Sequence, residues 1–266
     1  MVESLSELNK LCQKPDYKTK GNWYVRTILR DAALPVTRLL LHTPITANQV
    51  TLISLAVALF GMFILMFPGP AAFFLGAFLL QLWYYLDHVD GQIARYRKTA
   101  SLTGRFLDFL THHIVHPALF FALGFYCSVV SELGIFALWG FLSALAIFVF
   151  NVMHDVKYKT FFEKLEQEGG TIQPKVKSAP ASGKEPASFL RRVFSFMHKL
   201  CEIHVMMNIL TFAAVLQLFW QAVDLRFFLF IVYGILSPSI LVLKLAYILK
   251  TKKIDQEYSE IFNASV

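Results

Sequence analysis

The sequence predicts an all-α integral membrane protein with six transmembrane helices and amphipathic helices along the membrane interface. Three observations carry the prediction. First, 56% of the 266 residues are hydrophobic and 26 are Phe, with a mean hydropathy of +0.53, too apolar for a soluble domain of this length. Second, Leu39 to Leu86 contains no Asp, Glu, Lys or Arg, and Pro68, Gly69 and Pro70 divide that run into two pieces. Each piece is long enough to cross a hydrocarbon core of about 30 Å, and in lipid such pieces must be helices, because the backbone has to satisfy its own polar groups. Third, Lys and Arg avoid alternate connections. Phe67 to Ala71, Ser128 to Gly134 and Ala222 to Phe227 contain a single basic residue, Arg226, so both termini and the other connections are expected in the cytoplasm.

The chain divides into residues 1–45, a cytoplasmic N-terminus with an interfacial helix; 46–250, a six-helix catalytic domain with a cytoplasmic loop at 155–200; and 251–266, a cytoplasmic tail. Residues 1–20 are polar and are expected to lack order. From Trp23 to Leu41, Val25, Ile28, Leu29, Ala32, Val36, Leu39 and Leu40 recur at helical spacing opposite Arg26, Arg30 and Arg38. That pattern predicts an interfacial helix kinked at Pro35. Thr46 can cap the first membrane helix, and Asn48 serves either to satisfy that helix end or to face a ligand. Further spans are expected near Phe109 to Ser131, Leu133 to His154, Ile203 to Val223 and Phe227 to Leu243, the last interrupted at Ser237, Pro238 and Ser239. In the long loop, Glu168 to Ser188 reads as a flexible linker, and Phe189 to Leu200 as a second interfacial helix.

A net charge of +7 suits anionic membrane lipids as partners, and nucleic acid is not expected as one. Cys12, Cys127 and Cys201 are too few and too scattered for a disulfide framework or a zinc site. The N-terminus lacks a signal-peptide pattern, which leaves insertion to the first membrane helix.

One stretch departs from this apolar plan: DHVDGQIARYRKTASLTGRFLDFLTHHIVH, from Asp87 to His116. Asp87 and Asp90 share a face at the end of the second helix, continued by Gly91 and Ala94. Gly104, Asp108 and His112, spaced by four, share a face of the third. If the two helices are antiparallel neighbours, these faces meet and bring Asp87, Asp90, Asp108 and His112 together as metal ligands. An Asp within a membrane helix costs about 2.5 to 3.5 kcal/mol at the centre, and less near the interface. Clustered carboxylates also repel one another, and a divalent cation offsets both costs. Oxygen ligands suit Mg²⁺ or Mn²⁺, one or two ions, with phosphate oxygens of a substrate completing the shell.

The spacing of Asp87, Asp90, Gly91, Ala94, Arg95, Gly104 and Asp108 resembles the signature of the CDP-alcohol phosphotransferase family, D-x2-D-G-x2-A-R-x8-G-x3-D-x3-D, at seven of its eight fixed positions. Thr46 to Thr51 resembles the P-N-x-V-T start of that family's first membrane helix, with Ala47 where proline is common. The resemblance implies a metal-dependent transfer: a CDP-linked donor, attack by an alcohol acceptor, release of CMP, and a lipid as one of the two substrates. It implies Asp87, Asp90 and Asp108 as metal ligands, a nucleotide pocket shaped by Gly91, Ala94 and Gly104, a phosphate contact from Arg95, and a homodimer; Arg105, in the same basic cluster as Arg97 and Lys98, is a further candidate to bind a phosphate. Asn48 belongs to the same substrate-binding set.

The eighth position departs from the signature, since the family's fourth aspartate, its expected base, is His112 here. A neutral imidazole serves either as metal ligand or as base, with an ordinary pKa of about 6.5, but it does not bridge two cations. Asp108 and His112 are therefore the expected catalytic pair. His116 reads better as a buried histidine bonded to a neighbouring helix than as a partner of His112. Two other readings compete: an inactive relative, and an ion-coupled transporter. The transporter is disfavoured because these carboxylates sit at helix ends and not at the bilayer midplane.

Overall fold

The structure, a computed structural model, describes residues 2–13, 23–167 and 189–262, all helical or connecting, with no strand among them. The expected linker Glu168 to Ser188 lies outside the described residues. The expectation that the first residues lack order is corrected for residues 2–13. Helix α1, Leu5–Cys12, opens on a capping box between Ser4 and Glu7 and buries Leu8 and Cys12, one turn apart, against α3 and α5. Its short amphipathic stripe was too brief to stand out in a polar context.

The interfacial segment is broken and not continuous: a π-helical turn Val25–Leu29, α2 (Arg30–Ala32), then α3 (Leu34–Leu41) with Pro35 in its first turn. Proline is accommodated there because the first-turn N–H groups have no partner within the helix. Next come α4 (Ala47–Leu65), α5 (Pro70–Tyr96), α6 (Leu102–Ser131), α7 (Ile135–Gln167), α8 (Phe189–Leu200), α9 (Ile203–Phe219), α10 (Leu225–Thr251) and α11 (Lys253–Phe262). Among the described residues, α4, α6, α7 and α10 are long and apolar enough to cross a membrane. The pair Arg192–Leu200 and Ile203–Phe219, bent by 64°, is a fifth candidate. The expected second span falls in α5, whose 27 residues reach about 40 Å. Its Gln81, Tyr84, Tyr85 and Asp87 make it less apolar than the other four.

The sixth span is not interrupted: α10 runs through Pro238, with Ser239 Oγ donating to Ile235 O at 2.7 Å. Ser237 is fully buried and reaches back to Ser143 O at 3.5 Å. The Gly234 carbonyl, which Pro238 leaves without its helical donor, accepts from Trp139 Nε1 at 3.0 Å and Ser143 Oγ at 3.2 Å of α7, and these bonds keep the helix whole.

Helix pairing places the site. The main packing pairs are α4 with α5 and α6 with α7, and α4 also packs on α6 while α5 packs on α9. The α6–α7 pair closes at two glycines; a Cβ on Gly124 would stand 2.4 Å from Gly140 Cα. No side chain fits there. Gly124→Val is therefore expected to lower stability by about 1–3 kcal/mol through overpacking, read as a lower midpoint of thermal unfolding in detergent; an unchanged midpoint would contradict this contact.

Candidate metal centre

The two signature helices face each other without packing closely, because each leans on α4 instead. The gap between them is the site. Asp87, on α5, turns its Oδ1 toward α6, and His112 Nε2 lies 3.4 Å from it and 3.4 Å from Asp108 Oδ1. One ligand atom from each of Asp87, Asp108 and His112 falls within 4.8 Å of the others. Burial is graded: the side chains are 13%, 33% and 46% exposed for Asp87, His112 and Asp108, so the cluster opens to solvent on the Asp108 side. Trp83, fully buried one turn before Asp87, presents a ring 5.2 Å from that of His112 and fixes its plane.

This donor set fits a divalent cation. Asp87 Oδ1 is buried and, among the described residues, has no hydrogen-bond partner of good geometry, a costly state that a cation would relieve. Two like charges within about 5 Å repel by roughly 3 to 4 kcal/mol at an effective dielectric of about 20. A cation converts that repulsion into attraction.

Asp90 stands apart from the three. It is buried and accepts a 2.5 Å hydrogen bond from Thr51 Oγ1 on α4. It lines the same half-open cleft, a cavity of about 170 Å³ bounded by Gln13, Arg30, Asp87, His88, Asp90, Gly91, Gln92, Arg95 and Asp108.

The remaining expected residues divide into those at the cleft and those away from it. Gly104 is approached by Asn48: a Cβ there would lie 3.1 Å from Asn48 Oδ1, so the glycine brings the start of α4 against the start of α6. A Cβ on Gly91 would lie 3.2 Å from Arg95 Nη1, so this glycine leaves room for the arginine to fold back over its own helix. Arg95 lines the cleft while its Nε donates to Cys12 O, tying α1 down as a roof. Ala94 is half-buried on α5, and Arg105 is exposed in the first turn of α6; neither lines the cleft. Arg97 donates to the carbonyls of Ile45 and Thr43, which holds the start of α4 to the end of α5. Lys98, left-handed at φ 56°, ends α5, with Thr99 N bonded to Ala94 O.

His116 is buried and pairs its Nδ1 with Asn151 Nδ2 of α7 at 3.1 Å. His113 Nε2 lies 3.0 Å from Asp155. His88 bonds the Tyr84 carbonyl at 2.9 Å.

Other contributors were invisible in the sequence. Gln92, Gln13 and Arg30 are far apart along the chain and belong to no motif. Gln92 accepts from Thr37 Oγ1 at 2.6 Å and donates to Arg30 O at 2.7 Å, which is how α5 fixes the interfacial segment beside the cleft. Thr51 is the last position of the stretch that resembles P-N-x-V-T, but nothing in that stretch pointed to Asp90. Thr51→Val removes the hydrogen bond that orients Asp90, and the loss expected in Mn²⁺ affinity is about 10- to 100-fold, the usual weight of an outer partner of a metal ligand. Titration followed by electron paramagnetic resonance measures it, and an unchanged affinity would separate Asp90 from the metal.

Comparison with known proteins follows the same residues. The profile of the CDP-alcohol phosphatidyltransferase family matches residues 44–179, just over half of the chain and all of the cluster. No curated protein matches the sequence. Among solved structures, that of Mycobacterium tuberculosis phosphatidylinositol phosphate synthase with CDP-DAG bound is similar at a TM-score of 0.49 and 17% identity, covering 82% of this chain and 92% of that one.

Proposed function

The chain belongs to the CDP-alcohol phosphatidyltransferase family, and from that premise we propose that it transfers a substituted phosphoryl group from a CDP-linked donor to an alcohol, releasing CMP. The observation that carries the proposal is the Asp87, Asp108 and His112 cluster, with its unpartnered carboxylate oxygen, at the mouth of the cleft. Mg²⁺ or Mn²⁺, held by Asp87 and Asp108 with Asp90 as the adjoining ligand, would supply charge neutralisation for the donor pyrophosphate and the leaving CMP.

The protein's own groups account for the rest. Arg30 and Arg95 give the cleft positive charge opposite its carboxylates, suited to a pyrophosphate. Thr51 holds Asp90 in one orientation. His112 is the base: its Nε2 takes the proton from the attacking hydroxyl, and the Asp87 and Asp108 oxygens, each 3.4 Å away, stabilise the resulting imidazolium. The phosphorus distal to cytidine gains the acceptor oxygen, and its bond to the CMP oxygen breaks.

The same proposal sets the membrane plan: α4, α5, α6, α7, α9 and α10 span the bilayer, with both termini and the cleft on the cytoplasmic side. The scarcity of Lys and Arg at the opposite helix ends supports it. A soluble nucleotide then reaches the cleft directly, and the product enters phospholipid or membrane-linked glycan synthesis.

A CMP-release screen tests the reaction, using CDP-diacylglycerol with polar acceptors and small CDP-alcohols with 1,2-dioleoylglycerol. One of the two classes is expected to turn over with Mn²⁺ or Mg²⁺ and to stop in Asp108→Asn. Metal binding without CMP release from any donor would defeat the transferase reading. For the base, His112→Asn is expected to lower turnover about 100-fold or more with the half-saturating Mn²⁺ concentration unchanged, and His112→Asp to restore it. Full turnover in His112→Asn would remove His112 from that role.

A further inference from the structure

Two buried N–H donors beside the metal centre have no acceptor among the described residues. Trp83 is fully buried, and its Nε1 has no hydrogen-bond partner. His116 is 5% exposed, and its Nε2 likewise has none. Because Asn151 Nδ2 donates to His116 Nδ1 at 3.1 Å, the neutral ring carries its proton on Nε2 and presents it as a donor. A buried, unmade hydrogen bond is costly, and two of them on facing helices are unusual in a packed bundle.

Their register gives the pair a common position. Trp83 precedes Asp87 by four residues on α5, and His116 follows His112 by four on α6, so each lies one turn, about 5.4 Å, below its partner in the cluster. The Trp83 ring stands edge-on to His112 at 5.2 Å. By register the two make a floor one turn from the carboxylates, carried by two helices that do not pack closely on each other.

We propose that Trp83 and His116 bind the glycerol-ester oxygens of the lipid substrate. Ester carbonyls accept hydrogen bonds and never donate them, which is what two N–H groups require. In a glycerolipid these oxygens lie just below the phosphate or hydroxyl that reacts. Their depth relative to the headgroup therefore matches the depth of the floor relative to the metal centre. A charged group is excluded so far from solvent. The inference rests on the transferase reading for the class of ligand. The lipid is either the CDP-diacylglycerol donor or a diacylglycerol acceptor, since both carry the same esters.

The test reads binding and not turnover, so its failure is separate from failure of the transferase reading. Full-length protein in detergent is titrated with CDP-dioleoylglycerol in one arm and 1,2-dioleoylglycerol in the other, following the thermal unfolding midpoint. One lipid is expected to raise the midpoint, which identifies the lipid substrate. Trp83→Phe, which keeps the ring and removes the N–H, is expected to raise the half-saturating concentration of that lipid roughly tenfold, the weight of one net neutral hydrogen bond. His116→Phe is expected to do the same independently. If neither lipid shifts the wild-type midpoint, or if the folded variants keep wild-type half-saturation, the floor is a packing feature and the proposal fails.

Discussion

The structure depends on holding two carboxylates and an imidazole within 4.8 Å of one another at the end of an apolar helix pair. Left alone, that arrangement repels itself and strands a buried oxygen, so the fold must impose it. It does so indirectly. Helix α5 takes its packing from α4 and α9, and α6 from α4, α7 and α10, and the two leave their facing surfaces apart. The facing surfaces are therefore set by the frame and not by contact with each other, and the gap remains large enough for a ligand.

The frame is completed by polar side chains that anchor the N-terminal segment to α5. Tyr85 donates to Ala32 O at 2.6 Å, Gln92 binds both Thr37 and Arg30, and Tyr96 donates to Glu3 at 2.5 Å. These bonds sit along the C-terminal half of α5, within a few turns of Asp87 and Asp90. Of the residues that make α5 less apolar than its neighbours, Tyr85 anchors the N-terminal segment and Asp87 lines the cleft. Hydrophobicity has been exchanged for positioning along one helix.

Much of this was legible in the sequence because its signals are local. Charge-free runs mark helices, period-four spacing puts Gly104, Asp108 and His112 on one face, and the spacing from Asp87 to Asp108 carries the family resemblance that the profile match bears out. The parts that escaped are long-range or brief. The hydrogen bond from Thr51 to Asp90 joins residues on different helices and leaves no periodic trace. Helix α1 has a capping box but only two buried positions, Leu8 and Cys12, too few to stand out. The apparent break at Pro238 failed because Trp139 and Ser143 of α7 satisfy the freed Gly234 carbonyl, which no local rule registers. The orphaned N–H groups of Trp83 and His116 are likewise visible only once both helices are in place.

The most direct measurement of the central claim is anomalous diffraction from crystals of the full chain grown with Mn²⁺ and a CDP-linked donor. The account predicts a Mn²⁺ peak within coordination distance of both the Asp87 and Asp108 carboxylates, bridged to the donor pyrophosphate. A donor bound in the cleft with no metal at these carboxylates, or with the metal elsewhere, would contradict it.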